Sequence, residues 1–280
     1  MRELIRIGLT TWSEHTDLSN GKKPTLAEYA SKFPLVEVDT LFYGIPRKTT
    51  VASWIEAVPP SFRFILKVPK AMTLHEEWQK NYESEKDLYL QFFESVAPLI
   101  SKNQLYAFLF QFPPYFSCTK ENILHLKKIR KIFKELPIAI EFRNAAWFSD
   151  PMQAKMIRFM QENQFILTIV DSPQLPTNAI PFLPLATHSS KVLIRCHGRN
   201  IQGWLEKGED WRQKRTLYDY NEKELEELAE HASQLESKQL EVAIIFNNNS
   251  GGDAYRNATS LKNRLNIQYA DLNPEQIDLF

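Results

Sequence analysis

The sequence predicts an α/β fold, a single (β/α)8 TIM-type barrel, and three observations carry that expectation. Eight short apolar runs recur along the 280 residues, starting roughly every 26–50 positions. Most gaps between them show helical periodicity, and strands alternating with helices build a parallel sheet. Inside the runs the residue types alternate with period two. That pattern fits strands with one face against helices and the other towards a closed lumen. Eight repeats of the unit fit the closed barrel, and this length suits one.

The runs follow in order. Ile5–Trp12 is strand one. In Leu35–Phe42, Val36 and Val38 suit the helix side, so Glu37 and Asp39 point inward. Phe62–Val68 places Phe64, Leu66 and Val68 outside, with Ile65 and Lys67 inside. Leu105–Phe112 places Phe108 and Phe110 outside, with Ala107, Leu109 and Gln111 inside. The next gap is a helix marked by Leu124, Ile129, Ile132, Phe133 and Leu136. Pro137–Arg143 turns Ala139, Glu141 and Arg143 inward. Phe165–Asp171 is apolar on both faces and ends at Asp171. Residues 172–190 hold Pro173, Pro176, Pro181 and Pro184, which leave no room for a normal helix after strand six. Lys191–His197 turns Leu193, Arg195 and His197 inward. A helix along Leu225, Leu228, Ala229, Ala232 and Leu235 opens at Asn221, with Glu224 in capping-box spacing. Glu241–Asn247 turns Ala243, Ile245 and Asn247 inward. No linker or low-complexity segment breaks the series, so residues 1–280 read as one domain.

Composition narrows the function. Apolar residues are 43% and charged residues 24%, an ordinary globular balance with ample core. Lys+Arg and Asp+Glu are 34 each, so no basic excess exists to neutralise phosphates along a nucleic acid. Only 8 glycines occur, and neither a dinucleotide-binding nor a P-loop fingerprint is found. Two cysteines, Cys118 and Cys196, form no disulfide framework. The N-terminus lacks a secretory pattern and no run is long enough to span a membrane. A cytoplasmic protein without membrane contact is expected.

Inward positions are apolar at the strand starts and charged at the strand ends. Active sites of such barrels lie at the C-terminal strand ends. Glu37, Asp39, Lys67, Gln111, Glu141, Arg143, Asp171, Arg195, His197 and Asn247 converge there. A plug of buried ion pairs is the plainer explanation. Such pairs seldom add net stability over apolar packing, so a functional site is the stronger reading.

Longer motifs carry a resemblance. Residues 7–12 (IGLTTW) and 36–46 (VEVDTLFYGIP) open the pattern. Lys67-Val68-Pro69, Phe110-Gln111-Phe112-Pro113-Pro114, residues 141–147 (EFRNAAW), Cys196-His197-Gly198-Arg199 and Phe246-Asn247-Asn248 continue it. In this order they resemble the YecE-like family, domain of unknown function 72, from about residue 5 to 265. The resemblance implies a TIM-barrel-like fold and no settled activity. The family pattern usually has Asn where this chain has Asp39, His at Asn144 and Ser at Ala146. Function must therefore come from the site.

Three chemistries fit the residues. The first is acid–base catalysis without cofactor or metal, on a phosphorylated or polyhydroxylated small molecule. Glu37, Lys67, Glu141, Asp171 and His197 are the candidate catalytic groups. Neighbouring charges that push carboxylate pKa values apart define acid and base. Lys67 as a Schiff base is disfavoured, because three nearby carboxylates would raise its pKa. Trp12, Asp39, Tyr43, Gln111, Arg143, Arg195, Arg199, Asn247, Asn248, Gly251 and Gly252 are the candidate ligand-binding residues. The glycine turn before the last helix offers an anion site. The second reading is a protein that binds or processes a nucleic-acid end or single strand. Trp204, Trp211, Tyr218 and Tyr220, interleaved with Arg199, Arg212 and Arg215, should hang over the mouth and are capable of stacking. The third is a metal-dependent phosphoesterase using Glu37, Glu141, Asp171 and His197 as ligands. Three cations sharing the rim argue against it, and His75-Glu76-Glu77-Trp78-Gln79 misses the zinc motif by its last residue.

Overall fold

Strand registers come first, because they decide which side chains reach the mouth. A computed structural model describes residues 4–275, apart from 176, 207 and 209. Its strands are β1 (Ile5–Thr10), β2 (Leu35–Val38), β3 (Arg63–Lys67), β4 (Leu105–Gln111), β5 (Ile138–Glu141), β6 (Phe165–Leu167), β7 (Ile169–Asp171), β8 (Lys191–Cys196) and β9 (Glu241–Phe246). Neighbours pair in parallel in the order β6-β5-β4-β3-β2-β1-β9-β8-β7. β6 and β7 are one extended segment split at Thr168. The first half pairs with β5 and the second with β8, which brings the two sheet edges together as a TIM-like barrel. The eight runs read from sequence thus become nine strands.

The helices are α1 (Leu26–Tyr29), α2 (Lys48–Glu56), α3 (Glu85–Ser101), α4 (Lys120–Phe133), α5 (Met152–Glu162), α6 (Ile201–Leu205), α7 (Trp211–Arg215), α8 (Glu222–Glu236) and α9 (Asp253–Arg264). Side chains of Thr25, Ser84, Thr119 and Asn221 accept N-terminal backbone N–H groups of α1, α3, α4 and α8. The capping box at Asn221 and Glu224 forms as its spacing predicts. On α4 the buried face is Leu126, Ile129 and Phe133, whereas Leu124 is exposed. Of the residues read as this helix's apolar face, Ile129 and Phe133 are buried and Ile132 and Leu136 pack against the core; only Leu124 falls outside it. Residues 172–190 carry no helix or strand among those described.

Two apolar layers confirm the alternation. Outside, Val36, Val38, Phe64, Leu66, Phe108, Phe110, Ile138, Ile140, Ile194, Ile244 and Phe246 pack on the helices. Inside, Leu35, Ile65, Ala107, Leu109, Ala139, Ile166, Leu193, Ala243 and Ile245 fill the barrel. Tyr106 departs from this parity. A register shift between Phe64 and Ile65 turns it inward. There its hydroxyl donates towards the carbonyls of Val192 and Glu241, 2.7 and 2.8 Å away, and closes the barrel floor. Gly8 is fixed by close approach: a Cβ there would stand 2.2 Å from the Leu35 carbonyl oxygen. The upper lumen is thereby left to the polar strand ends.

Candidate active site

The polar strand ends form two levels. The lower is a buried ion layer centred on Arg195. Its Nε and Nη2 donate to Glu37 Oε2 and Oε1 at 2.8 and 2.5 Å, and Nη1 reaches Glu141 Oε2 at 2.5 Å. Nη1 also donates to Gln111 Oε1 at 3.2 Å. The Nε of Arg143 pairs with Glu141 Oε1 at 2.5 Å. Glu37 and Glu141 are fully buried. Burial raises the Glu37 pKa, with Arg195 pulling the other way. Burial would raise Glu141 too, but Arg143, Arg195 and His197 hold it well below the usual carboxylate range. The environments of the two carboxylates are pushed in opposite directions.

Above this layer opens a cavity of about 1020 Å³. Lys67, Gln111, Arg143, His197 and Asn247 form its floor, while Trp12, Asp39 and Tyr43 belong to its wall. Glu37, Glu141 and Arg195 are absent from its lining. They are the plug foreseen as the plainer explanation, and they support a site rather than replace one. His197 Nε2 lies 2.9 Å from Arg143 Nη2. Nε2 also lies 3.3 Å from Glu141 Oε1, so the ring sits between a guanidinium and a carboxylate. Asn247 Nδ2 lies 2.9 Å from Nδ1. Burial and Arg143 lower the His197 pKa to about 3, so the ring is neutral.

Lys67 differs from what its neighbours suggested. No carboxylate of the described residues comes within ion-pair distance of its Nζ. Instead Nζ lies 4.5 Å from the centre of the Phe42 ring. Burial, then Arg195, lower its pKa to about 8; Glu37, Asp39 and Glu141 pull it upward, as the sequence suggests, but do not outweigh burial. His75 stands on the same wall, edge-on to Phe42, with its pKa lowered to about 4 by burial and Lys67.

Other expected residues lie elsewhere. Asp171 shares its strand face with Phe165, Leu167 and Ile169, which pack on the helices, so it points away from the lumen. Arg199 Nε donates to it at 2.9 Å and the Tyr220 hydroxyl at 2.5 Å. Asp171 and Arg199 thus fasten the 198–220 segment and lie outside the cavity lining; the first was expected among the catalytic groups and the second among the ligand-binding residues. Asn248 is fully buried and donates to Tyr218 O and Asn257 Oδ1, both at 2.8 Å. It braces that segment and does not line the cavity. Gly251 and Gly252 take left-handed φ in the turn before α9, where Asp253 and Asp17 carboxylates adjoin them. That electronegative turn lies outside the cavity lining.

The 199–220 segment does overhang the mouth. Trp204, Gln213, Arg215 and Thr216 line the cavity, and α6 and α7 lock together at Gly203 against the Lys214 carbonyl. The side chains of Trp211 and Arg212 lie outside the described residues. Arg143 and Arg215 both stack on Trp204, with guanidinium carbons 5.4 and 5.0 Å from its ring. Sequence reasoning passed over Thr11. It lines the cavity with φ 60°, rare for a β-branched residue, and its buried Oγ1 has no hydrogen-bond partner in the protein. Trp204 Nε1 and Asn249 Oδ1, also cavity-lining, are in the same position. Among the described residues no group of three or more His, Cys, Asp or Glu side chains is arranged to hold a metal ion. Among them no helix is long and apolar enough to cross a membrane.

The fold and mouth define a TIM-like parallel barrel with a cationic-floored pocket at its strand ends. Residues 6–278 match the family described as protein of unknown function DUF72, and the chain belongs to that family. UPF0759 protein YunF of Bacillus subtilis (strain 168) is 38% identical over 282 residues, covering 99% of this chain and 100% of YunF. YecE of Escherichia coli (strain K12) is 32% identical over 96 residues, 34% of each chain. A crystal structure of a DUF72 family protein from Enterococcus faecalis V583 superposes with a TM-score of 0.94 at 52% identity, covering 98% of this chain and 100% of that one. One from Thermotoga maritima MSB8 superposes with a TM-score of 0.79 at 27% identity, covering 94% and 99%.

Proposed function

We propose that this protein is an enzyme acting by acid–base chemistry on a small phosphorylated or polyhydroxylated molecule held at the barrel mouth. One observation carries the reading. The cavity of about 1020 Å³ has a floor of fixed donors, Lys67, Gln111, Arg143 and Asn247, and walls whose Thr11 and Trp204 polar atoms await a partner. That volume accommodates a metabolite-sized ligand. Glu37 and Glu141 are sealed under the floor, so the proton-transfer role passes to Lys67 and Asp39. An amine with a pKa near 8 populates both of its forms at neutral pH. Arg143 orients an anionic group, as planar guanidinium groups do for phosphate and carboxylate. Nucleic-acid binding has less support, because half-buried Trp204 packs between the cavity and two arginines instead of offering an open stacking face.

Thermal-shift screening against sugar phosphates, nucleotides and neutral polyols tests the reading. A ligand at a hundred times its Kd stabilises by about 2.7 kcal/mol, a rise of roughly 5 °C or more. A screen in which no anion and no polyol raises the melting temperature overturns the proposal.

A further inference from the structure

We propose that Lys67 is a nucleophile that forms an imine, and that the ligand of this cavity is an oxo compound bearing an anionic group. The proposal deepens the function proposed above and rests on a small anionic ligand occupying this cavity. Lys67 stands at the end of β3, a rigid strand, and opens into the cavity. No carboxylate of the described residues forms an ion pair with its Nζ; Glu37 and Glu141 still favour the ammonium form, but each is held by a guanidinium and burial outweighs them. Both Glu37 oxygens are held by Arg195, and Glu141 lies between Arg143 and Arg195. The remaining charged groups in its surroundings are Arg195, which disfavours the ammonium, and Asp39, which lines the same cavity and favours it. His75 shares the Phe42 ring with it. A desolvated lysine beside another cation is the setting in which an amine becomes a nucleophile at neutral pH. Its lowered pKa, about 8, agrees with that geometry.

The chemistry balances without an external oxidant. The ammonium releases a proton to Asp39 or water, and the nitrogen lone pair forms a C–N bond to the carbonyl carbon. The C=O π pair moves to oxygen, which takes up a proton. That proton comes from the attacking nitrogen; the proton first released then returns to the same oxygen, which leaves as water while the nitrogen lone pair closes the C=N bond of the protonated imine. Arg143, facing the same cavity, holds the phosphate or carboxylate of the ligand meanwhile.

The test uses the full chain with two probes, glyceraldehyde 3-phosphate and glyoxylate. Each mixture is reduced with sodium borohydride, which delivers hydride to the imine carbon, and is then peptide-mapped. Thermal shift is measured in parallel with the matching alcohols, glycerol 3-phosphate and glycolate, which cannot form imines. The expected result is one adduct, on Lys67, enriched on the order of tenfold over the surface lysines. Its yield should rise with a midpoint near pH 8 instead of the ordinary 10.5. The probe that labels better distinguishes a phosphate from a carboxylate ligand. Labelling spread over surface lysines while an alcohol still stabilises the fold overturns the imine and leaves the proposed function standing. Absence of Lys67 labelling overturns the imine whatever the alcohols do; the proposed function falls with it only if the whole screen of anions and polyols also fails to stabilise the fold. Lys67→Arg should lose the adduct, and the mapping of the native chain decides even if that variant fails to fold.

Discussion

Arg195 clasps Glu37 with two parallel hydrogen bonds, Nε to Oε2 at 2.8 Å and Nη2 to Oε1 at 2.5 Å, in a position 1% exposed to solvent. The same guanidinium holds Glu141 through Nη1. Such a pair adds little net stability over apolar packing, but breaking it strands a buried charge. Here one arginine compensates two carboxylates. Arg195→Met should therefore destabilise the fold by about 3–5 kcal/mol. Urea unfolding measures it, and a loss under about 1 kcal/mol would show that the layer is wet or the carboxylates protonated.

A pH dependence follows from His197. Its pKa falls from the ordinary 6.5 to about 3 in the fold, through burial and Arg143. Between those values the unfolded chain binds a proton that the folded chain does not. Stability is thus fully present above pH 6.5 and is lost as pH falls toward 3. The slope approaches about 1.4 kcal/mol per pH unit. Glu37, raised by burial, works in the opposite direction, and His75, lowered, in the same one. Comparison of a single variant with the parent isolates His197. Unfolding free energies at pH 7 and pH 5 should differ less for His197→Gln, and equal slopes would refute the assignment.

Close packing of β1 on β2 gives a structural prediction. Gly8→Ala puts a methyl group 2.2 Å from the Leu35 carbonyl oxygen, where backbone and not a flexible side chain must yield. The cost should be about 1–3 kcal/mol or more. Gly44→Ala is the control. Nothing lies within 4 Å of its new Cβ, so denaturation should move by less than about 0.5 kcal/mol. Equal effects at both positions would contradict the strand spacing.

What the sequence made legible was whatever obeys period two. Glu37, Lys67, Gln111, Glu141, Arg143, Arg195, His197 and Asn247 all face inward as alternation requires. Asp171 was misplaced because its strand is apolar on both faces, so hydrophobicity gave no parity there. Counting back from Phe165, which packs outward, would have set it. Tyr106 escaped because a one-residue register shift inverts parity, and nothing in the residue types marks a shift. Height within the lumen was illegible as well. Alternation says which way a side chain points, but not that Glu37, Glu141 and Arg195 close into one buried layer beneath the cavity while Lys67 stays open to it. Burial reversed the expected shift of Lys67. Its carboxylate neighbours were correctly named and do raise its pKa, but desolvation, helped by Arg195, outweighs them, and depth of burial is not written in the alternation. Thr11 and His75 come from loops, where no periodicity applies.

Arg143 separates support from recognition. Its Nε pairs with Glu141 Oε1 at 2.5 Å, its Nη2 meets His197 Nε2 at 2.9 Å, and its guanidinium stacks on Trp204. It is also part of the cavity floor, with the side chain 14% exposed. Arg143→Met leaves Glu141 still paired with Arg195, so the loss should stay near 1–2 kcal/mol, below the roughly 3–5 kcal/mol of a stranded buried charge. Any ligand that stabilises the parent through its phosphate or carboxylate should lose most of that shift in the variant. Arg143→Lys should restore stability better than binding, because an ammonium cannot reproduce the planar fork facing Glu141, His197 and a ligand together. Denaturant unfolding without ligand and thermal shift with it give the two numbers. An unfolding loss above about 3 kcal/mol, with ligand stabilisation undiminished, would make Arg143 a structural ion-pair residue and end its role as a clamp.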